Sequence, residues 1–292
     1  MDGFTVIGTT GAAELRQVAN GIAAFRSALT THLPQLRVSR PVPTFVVVLK
    51  DFEAYKRFQP RDSRGRRVDS IAGYLNVAAD ANFLVFPYVR GEAGSSLIYH
   101  EYTHSVIRQN AQTEVPLWLE EGLAEFYATF RPEFGGGSLL GAVPPDRIRT
   151  LQQEPYVPLR NLVSIRTSGQ IVRSARSSVF YAEAWALVHY ITMERENPVR
   201  EPLSVYLTML AETDSQDEAF KAAFGVDVHG MDRELSTYVR YFWFRTKVVP
   251  KAKVPRIEQV EPIPQAQARQ LEDALVEGRV MPNEHEPDLP AF

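Results

Sequence analysis

The stretch Leu97-Ile-Tyr-His-Glu-Tyr-Thr-His-Ser-Val-Ile107 decides how the rest of the chain is read. His100 and His104 stand four residues apart, and an α-helix stacks such residues on one face, so both imidazoles can reach a single ion. Glu101 follows His100 directly and falls beside the position such an ion leaves open. Leu97 and Ile107 share the histidine face, while Ile98, Tyr102 and Val106 line another. A helix apolar on two faces belongs in an interior. Five residues carry little weight alone: a chance His-Glu-x-x-His in a chain of this composition has a probability of roughly one per cent. A third ligand and a partner for the reacting group must come from elsewhere in the chain.

The chain has 292 residues, 45% hydrophobic and 23% charged, enough for one large or two small domains with a substantial core. A formal net charge of −3 gives no global field favouring nucleic acid or an anionic membrane. The basic run Arg61, Arg64, Arg66 and Arg67 reads as a local, solvated loop. The absence of cysteine excludes disulfides, thiolate catalysis and Cys-ligated zinc, so any metal must be held by His and carboxylate. No apolar run is long enough to span a bilayer, and the opening Met1-Asp-Gly-Phe-Thr-Val-Ile7 lacks the basic and apolar regions of a signal peptide. An envelope or secreted location is favoured if a leader was removed upstream, and the cytoplasm otherwise; oligomeric state is open.

Periodicity predicts a strand over 4–9, a helix over 11–33 ended by Pro34, a buried strand over 44–50 and a short helix capped by Asp51. Strands over 71–78 and 82–87 follow, separated by a turn at Ala79-Asp-Ala81. The histidine helix should be capped by Ser95 or Ser96 and run to 110, and the next should open with Pro116 at its first helical position and reach 130. Residues 131–143, with Gly135-Gly-Gly137, read as a loop. Short helices are expected over 144–153 and 158–165, a longer one from Ser177 or Ser178, and three more over 202–212, 215–224 and 228–244. Beyond Val249 the prolines indicate a tail or linker with at most one helix, near 266–277. The expected fold class is α+β. Residues 1–90 form a small N-terminal β-sheet with packed helices, 91–248 a mainly helical, zincin-like half carrying the site, and 249–292 a Pro-rich tail or linker.

Catalytic zinc takes three protein ligands and accepts imidazole and carboxylate readily. The segment Trp118-Leu-Glu-Glu-Gly122 places Glu121 seventeen residues after His104, a separation that a helix end, a turn and a returning helix can close. Glu121 is the expected third ligand. Glu125, one turn further on, shares its face, and two carboxylates on an otherwise apolar helix must be solvated or paired with something positive.

His-Glu-x-x-His followed by Trp-Leu-x-Glu-Gly-x-Ala-Glu resembles the gluzincin metallopeptidases, and most closely the bacterial peptidase-MA-like proteins. The stretch Val179-Phe-Tyr-Ala-Glu-Ala-Trp-Ala-Leu-Val-His-Tyr190 looks like the family's helix opening with an oxyanion-stabilising Tyr, with Tyr181 sixty residues after Glu121. The resemblance covers residues 82–192. It implies a zinc-dependent peptidase with His100, His104 and Glu121 as ligands, Glu101 moving the proton and Tyr181 donating to the developing oxyanion. Glu125 is expected to accept the second ring N–H of His100, fixing its tautomer. Strand 82–87 resembles the family's edge strand, which pairs with an extended peptide substrate. Gluzincin aminopeptidases carry a Glu on that strand to hold a free amine, and Ala81-Asn-Phe-Leu-Val-Phe86 has none, which favours an endopeptidase. The alternative is a zinc-binding but catalytically silent scaffold or binding module of an envelope assembly. His189, two turns after Tyr181, reads as a hydrogen-bonded core histidine. Arg173 and Arg176 are candidates for holding a substrate carboxylate.

Overall fold

A computed structural model of the chain describes residues 4–32, 43–61, 64–68, 72–77, 81–111, 114–132, 137–167, 170–171, 177–197, 199–241, 244–250, 257 and 259–277. The fold is α+β and mainly helical, with a small mixed sheet, as the sequence predicts. The chain divides into two compact units, one drawn from residues 1–110, 130–138 and 248–292, the other from 111–129 and 139–247.

The first unit is built on a four-stranded sheet. Strands β1 (Phe4–Gly8), β2 (Thr44–Leu49) and β4 (Asn82–Pro87) are parallel neighbours, and β3 (Tyr74–Val77) pairs antiparallel with β4 in the register Tyr74↔Val85. Parallel strands covered on both faces read as unbroken apolar runs, which is why Thr-Phe-Val-Val-Val-Leu and Asn-Phe-Leu-Val-Phe-Pro show no alternation. Side chains still alternate between faces. Val47, Leu49, Phe83 and Val85 point to a cluster with Tyr55 and Phe58, contributed by helix α2 (Phe52–Lys56) and the residues just after it. Asp51 caps α2 by accepting from the Ala54 amide at 2.8 Å. Val46, Val48, Leu84 and Phe86 are equally buried and lie on the opposite face. Helices α1 (Ala12–His32) and α3 (Glu92–Asn110) pack together, with the Phe25 ring stacked on Tyr99 at 4.7 Å and set edge-on to Tyr102 at 6.0 Å.

One expectation needs correction here. Among the described residues the sheet runs β1-β2-β4-β3, so strand 82–87 is an inner strand and its main-chain groups are engaged on both sides. The outer strands among the described residues are β1 and β3, β3 pairing antiparallel with β4 alone.

Helix α3 begins at Glu92, ahead of the expected cap. Gly91, at φ +84°, turns the chain into the helix, and Ser95 lies inside the first turn with its amide donating to the Gly91 carbonyl at 3.3 Å.

The second unit is helical: α4 (Leu117–Ala128), α5 (Pro145–Gln153), α6 (Leu159–Ser164), α7 (Ser177–His189), α8 (Pro202–Thr213), α9 (Gln216–Phe224) and α10 (Val228–Tyr241). Pro116 sits at the N-cap of α4 rather than at its first helical position. Helix α7 runs on into a π-helical turn, Tyr190–Glu194. Buried aromatics tie the elements together: Trp118 Nε1 donates to the Tyr206 hydroxyl at 3.1 Å, and Tyr206 donates to Gln216 at 2.6 Å.

Part of the expected loop over 131–143 pairs instead. Strands β5 (Arg131–Pro132), β6 (Ser138–Leu140) and β7 (Lys247–Val249) form a small second sheet, too short for any of them to show periodicity. Helix α11 (Gln265–Glu277) occupies the place expected for the last helix, and its Leu275 is buried in the cluster of Tyr55, Tyr74 and Val85. Several sequence readings lie partly or wholly outside the described residues: Pro34 as the stop of the first helix, the ends of strand 71–78, Ala79-Asp80 of the turn, Gly135-Gly136, the candidate arginines Arg173 and Arg176, and much of the Pro-rich tail.

Candidate metal centre

Helix α3 buries its polar residues along with its apolar ones. His100, Glu101 and His104 are 5%, 5% and 7% exposed. Two of its buried hydroxyls are satisfied within the helix, Thr103 donating to the Tyr99 carbonyl at 2.7 Å and Ser105 to that of Tyr102 at 2.8 Å. The imidazoles are turned toward one another, with Nε2 of His100 and Nε2 of His104 3.2 Å apart. Two ligands at about 2.05 Å from a tetrahedral ion stand about 3.3 Å apart, so this spacing suits a shared metal.

Glu121 comes from α4, where it is half-buried. Gly122, next to it, has a structural reason. A Cβ there would fall 2.5 Å from the Ala184 carbonyl oxygen and 2.7 Å from Val188 Cγ2, so only glycine lets α7 approach α4 this closely. One ligand atom each from His100, His104 and Glu121 lies within 4.8 Å of the others, and these three form a possible metal site. Two imidazole nitrogens and a carboxylate oxygen, with no sulfur, are the donors of a catalytic zinc site. The donor set fits.

Glu125 and Tyr181 belong to a second grouping, together with a residue the sequence reading did not single out. Arg147 of α5 donates from Nε to Glu125 Oε2 at 2.8 Å and from Nη2 to Oε1 at 2.7 Å, a bidentate pair. Its guanidinium carbon sits over the Tyr181 ring, 5.4 Å from the centroid. All three are buried. Burial works against the charge on Arg147, and the Glu125 carboxylate beside it, together with smaller contributions from Tyr181 and Asp146, more than offsets this, so its pKa lies above the ordinary arginine value. The demand for a positive partner at Glu125 is visible in the sequence. Which arginine meets it is not, because a buried cation and a surface cation look alike on one short amphipathic helix.

His189 is wholly buried against Trp185 and Phe126. Its Nε2 is 3.0 Å from the Gly141 carbonyl and its Nδ1 2.7 Å from the Tyr238 hydroxyl, which fits a neutral ring donating to the first and accepting from the second. Burial holds its pKa below the ordinary histidine value, against the opposing pull of that carbonyl. It is the core histidine the sequence predicts.

A family model of the Peptidase MA superfamily matches residues 89–241, just over half of the chain, and the chain belongs to that superfamily. No curated protein matches the chain. The match takes in α3, α4 and α7, the helices that carry His100, Glu121 and Tyr181. Membership supports a peptidase-MA-like fold and metallopeptidase-type chemistry acting on peptides. No helix among the described residues is long and apolar enough to cross a membrane.

Proposed function

We propose that the protein is a zinc metallopeptidase of the gluzincin type, an endopeptidase cutting within extended peptide or protein segments. The observation that carries this is the convergence of His100, His104 and Glu121, with ligand atoms within 4.8 Å of one another. These three residues would hold the zinc. A zinc ion so held supplies a polarising Lewis acid and a water of lowered pKa.

The chain's own groups do the rest. Glu101 takes the proton of the attacking water and passes it to the leaving amine. Tyr181 donates its O–H to the oxygen that becomes an oxyanion, a bond stronger in the transition state than in the ground state. Glu125 accepts the second ring N–H of His100. Its pairing with Arg147 does not preclude this, since a carboxylate has about four lone-pair positions. With β4 paired on both sides, the strand assigned to an extended substrate is β3, an outer strand among the described residues, and its residues Tyr74-Leu-Asn-Val77 include no carboxylate to fix a free amine. This supports cleavage within chains over trimming of N-termini.

Protein purified without added metal should carry about one equivalent of zinc, and less than about a tenth of an equivalent with no gain on titration rejects the metal reading. Glu101→Gln should keep the zinc and lose about a hundredfold or more in proteolysis of an unstructured substrate. Unchanged cleavage would remove Glu101 from the mechanism. Full zinc without wild-type proteolysis would favour the silent scaffold.

A further inference from the structure

Arg147 is buried, fully engaged with Glu125, and placed over the face of Tyr181. It comes from α5, while Glu125 comes from α4, one turn after Glu121, and Tyr181 from the start of α7. Burying an ion pair gains little stability as a rule, because desolvating the two charges offsets their attraction. What the guanidinium does supply is geometry and field. Its planar fork holds a carboxylate in one orientation, and its charge sits over a ring, 5.4 Å from the centroid. A positive charge beside a phenol favours charge on the phenolic oxygen and so makes the O–H a stronger donor. The dry surroundings strengthen that influence.

We propose that Arg147 is a positioning residue: it locks the glutamate-bearing helix α4 to Tyr181 and raises the donor strength of the Tyr181 hydroxyl. The role rests on the peptidase reading, since it acts through the group that stabilises the oxyanion there. The role gives Arg147 no direct contact with substrate or metal; it acts through Glu125 and Tyr181. A lysine at this position keeps the charge and loses the fork, so it should restore part of the effect.

The test uses the full chain with R147M, R147K, Y181F and the double variant R147M/Y181F. R147M should lower kcat about 30-fold with KM held within about threefold, R147K should recover part of the loss, and in the Y181F background R147M should cost less than about threefold. An equal loss in both backgrounds shows a merely structural role and overturns the proposal. A second readout does not depend on activity. With 3-fluorotyrosine at position 181, the ¹⁹F resonance should move on R147M and return part of the way on R147K. If R147M does not fold, the R147K arm of both measurements decides. A wild-type chain without proteolysis rejects the peptidase reading, and an unmoved ¹⁹F resonance rejects the action of Arg147 on Tyr181.

Discussion

His100 and His104 bring their Nε2 atoms to 3.2 Å because one helical turn separates them and the surrounding burial leaves their rings few other directions. Sequence spacing alone reaches that far. It reaches Glu121 too, through the glycine and tryptophan around it, but not Arg147, whose partner is 22 residues away in the chain. His189 yields a pH prediction. Its folded-state pKa is depressed by burial, so above the unfolded value of about 6.5 the ring is neutral in both states and its contribution to stability is complete. As pH falls through that value the unfolded chain takes up the proton first, and stability is lost. The urea midpoint should therefore drop between about pH 7.5 and about pH 5.5, and drop less in His189→Gln, which keeps a donor and an acceptor. Equal drops in the two proteins would mean that other groups set the acid limb.

At the scale of elements, α4 packs closely on α7, and Gly122 permits it. Gly122→Ala should push the two helices apart and cost about 1–3 kcal/mol in urea unfolding, since the neighbour in the way is main chain and cannot swing aside. Because Glu121 is the adjacent residue, zinc binding measured by competition with a chromophoric chelator should weaken as well. A variant as stable as wild type would show that the helices have room to spare. Most elements are legible in the sequence because each carries its own signal: an apolar period, Asp51 or Ser215 as a cap, a proline at the end. What escapes are boundaries and partners settled at a distance. Helix α3 starts at Glu92, just after Gly91, rather than at a serine cap, and β5, β6 and β7 become strands only through pairing with one another.

For the whole molecule, the strand order is where sequence reading stops short. Apolar runs identify β1, β2, β3 and β4, yet nothing in them says that β4 lies inside and β3 outside. The same holds for Leu275, an ordinary leucine in a short helix after a proline-rich stretch, which is 2% exposed against Tyr55 and Val85. Leu275→Ala should destabilise the sheet unit by about 2–4 kcal/mol, read as a fall in the urea midpoint, and a change under about 0.5 kcal/mol would show α11 to be a loose attachment. Two further ties hold this end of the chain, both made by Asn20: its side chain donates to the Ile257 carbonyl at 3.0 Å and accepts from the Ile257 amide at 2.9 Å. The sheet unit thus closes over its hydrophobic cluster with residues from near both ends of the sequence. On a ribosome this imposes an order. The helical stretch 139–247 emerges and can fold while the cluster around Tyr55 still lacks Leu275, and the histidine helix belongs to the unit that waits.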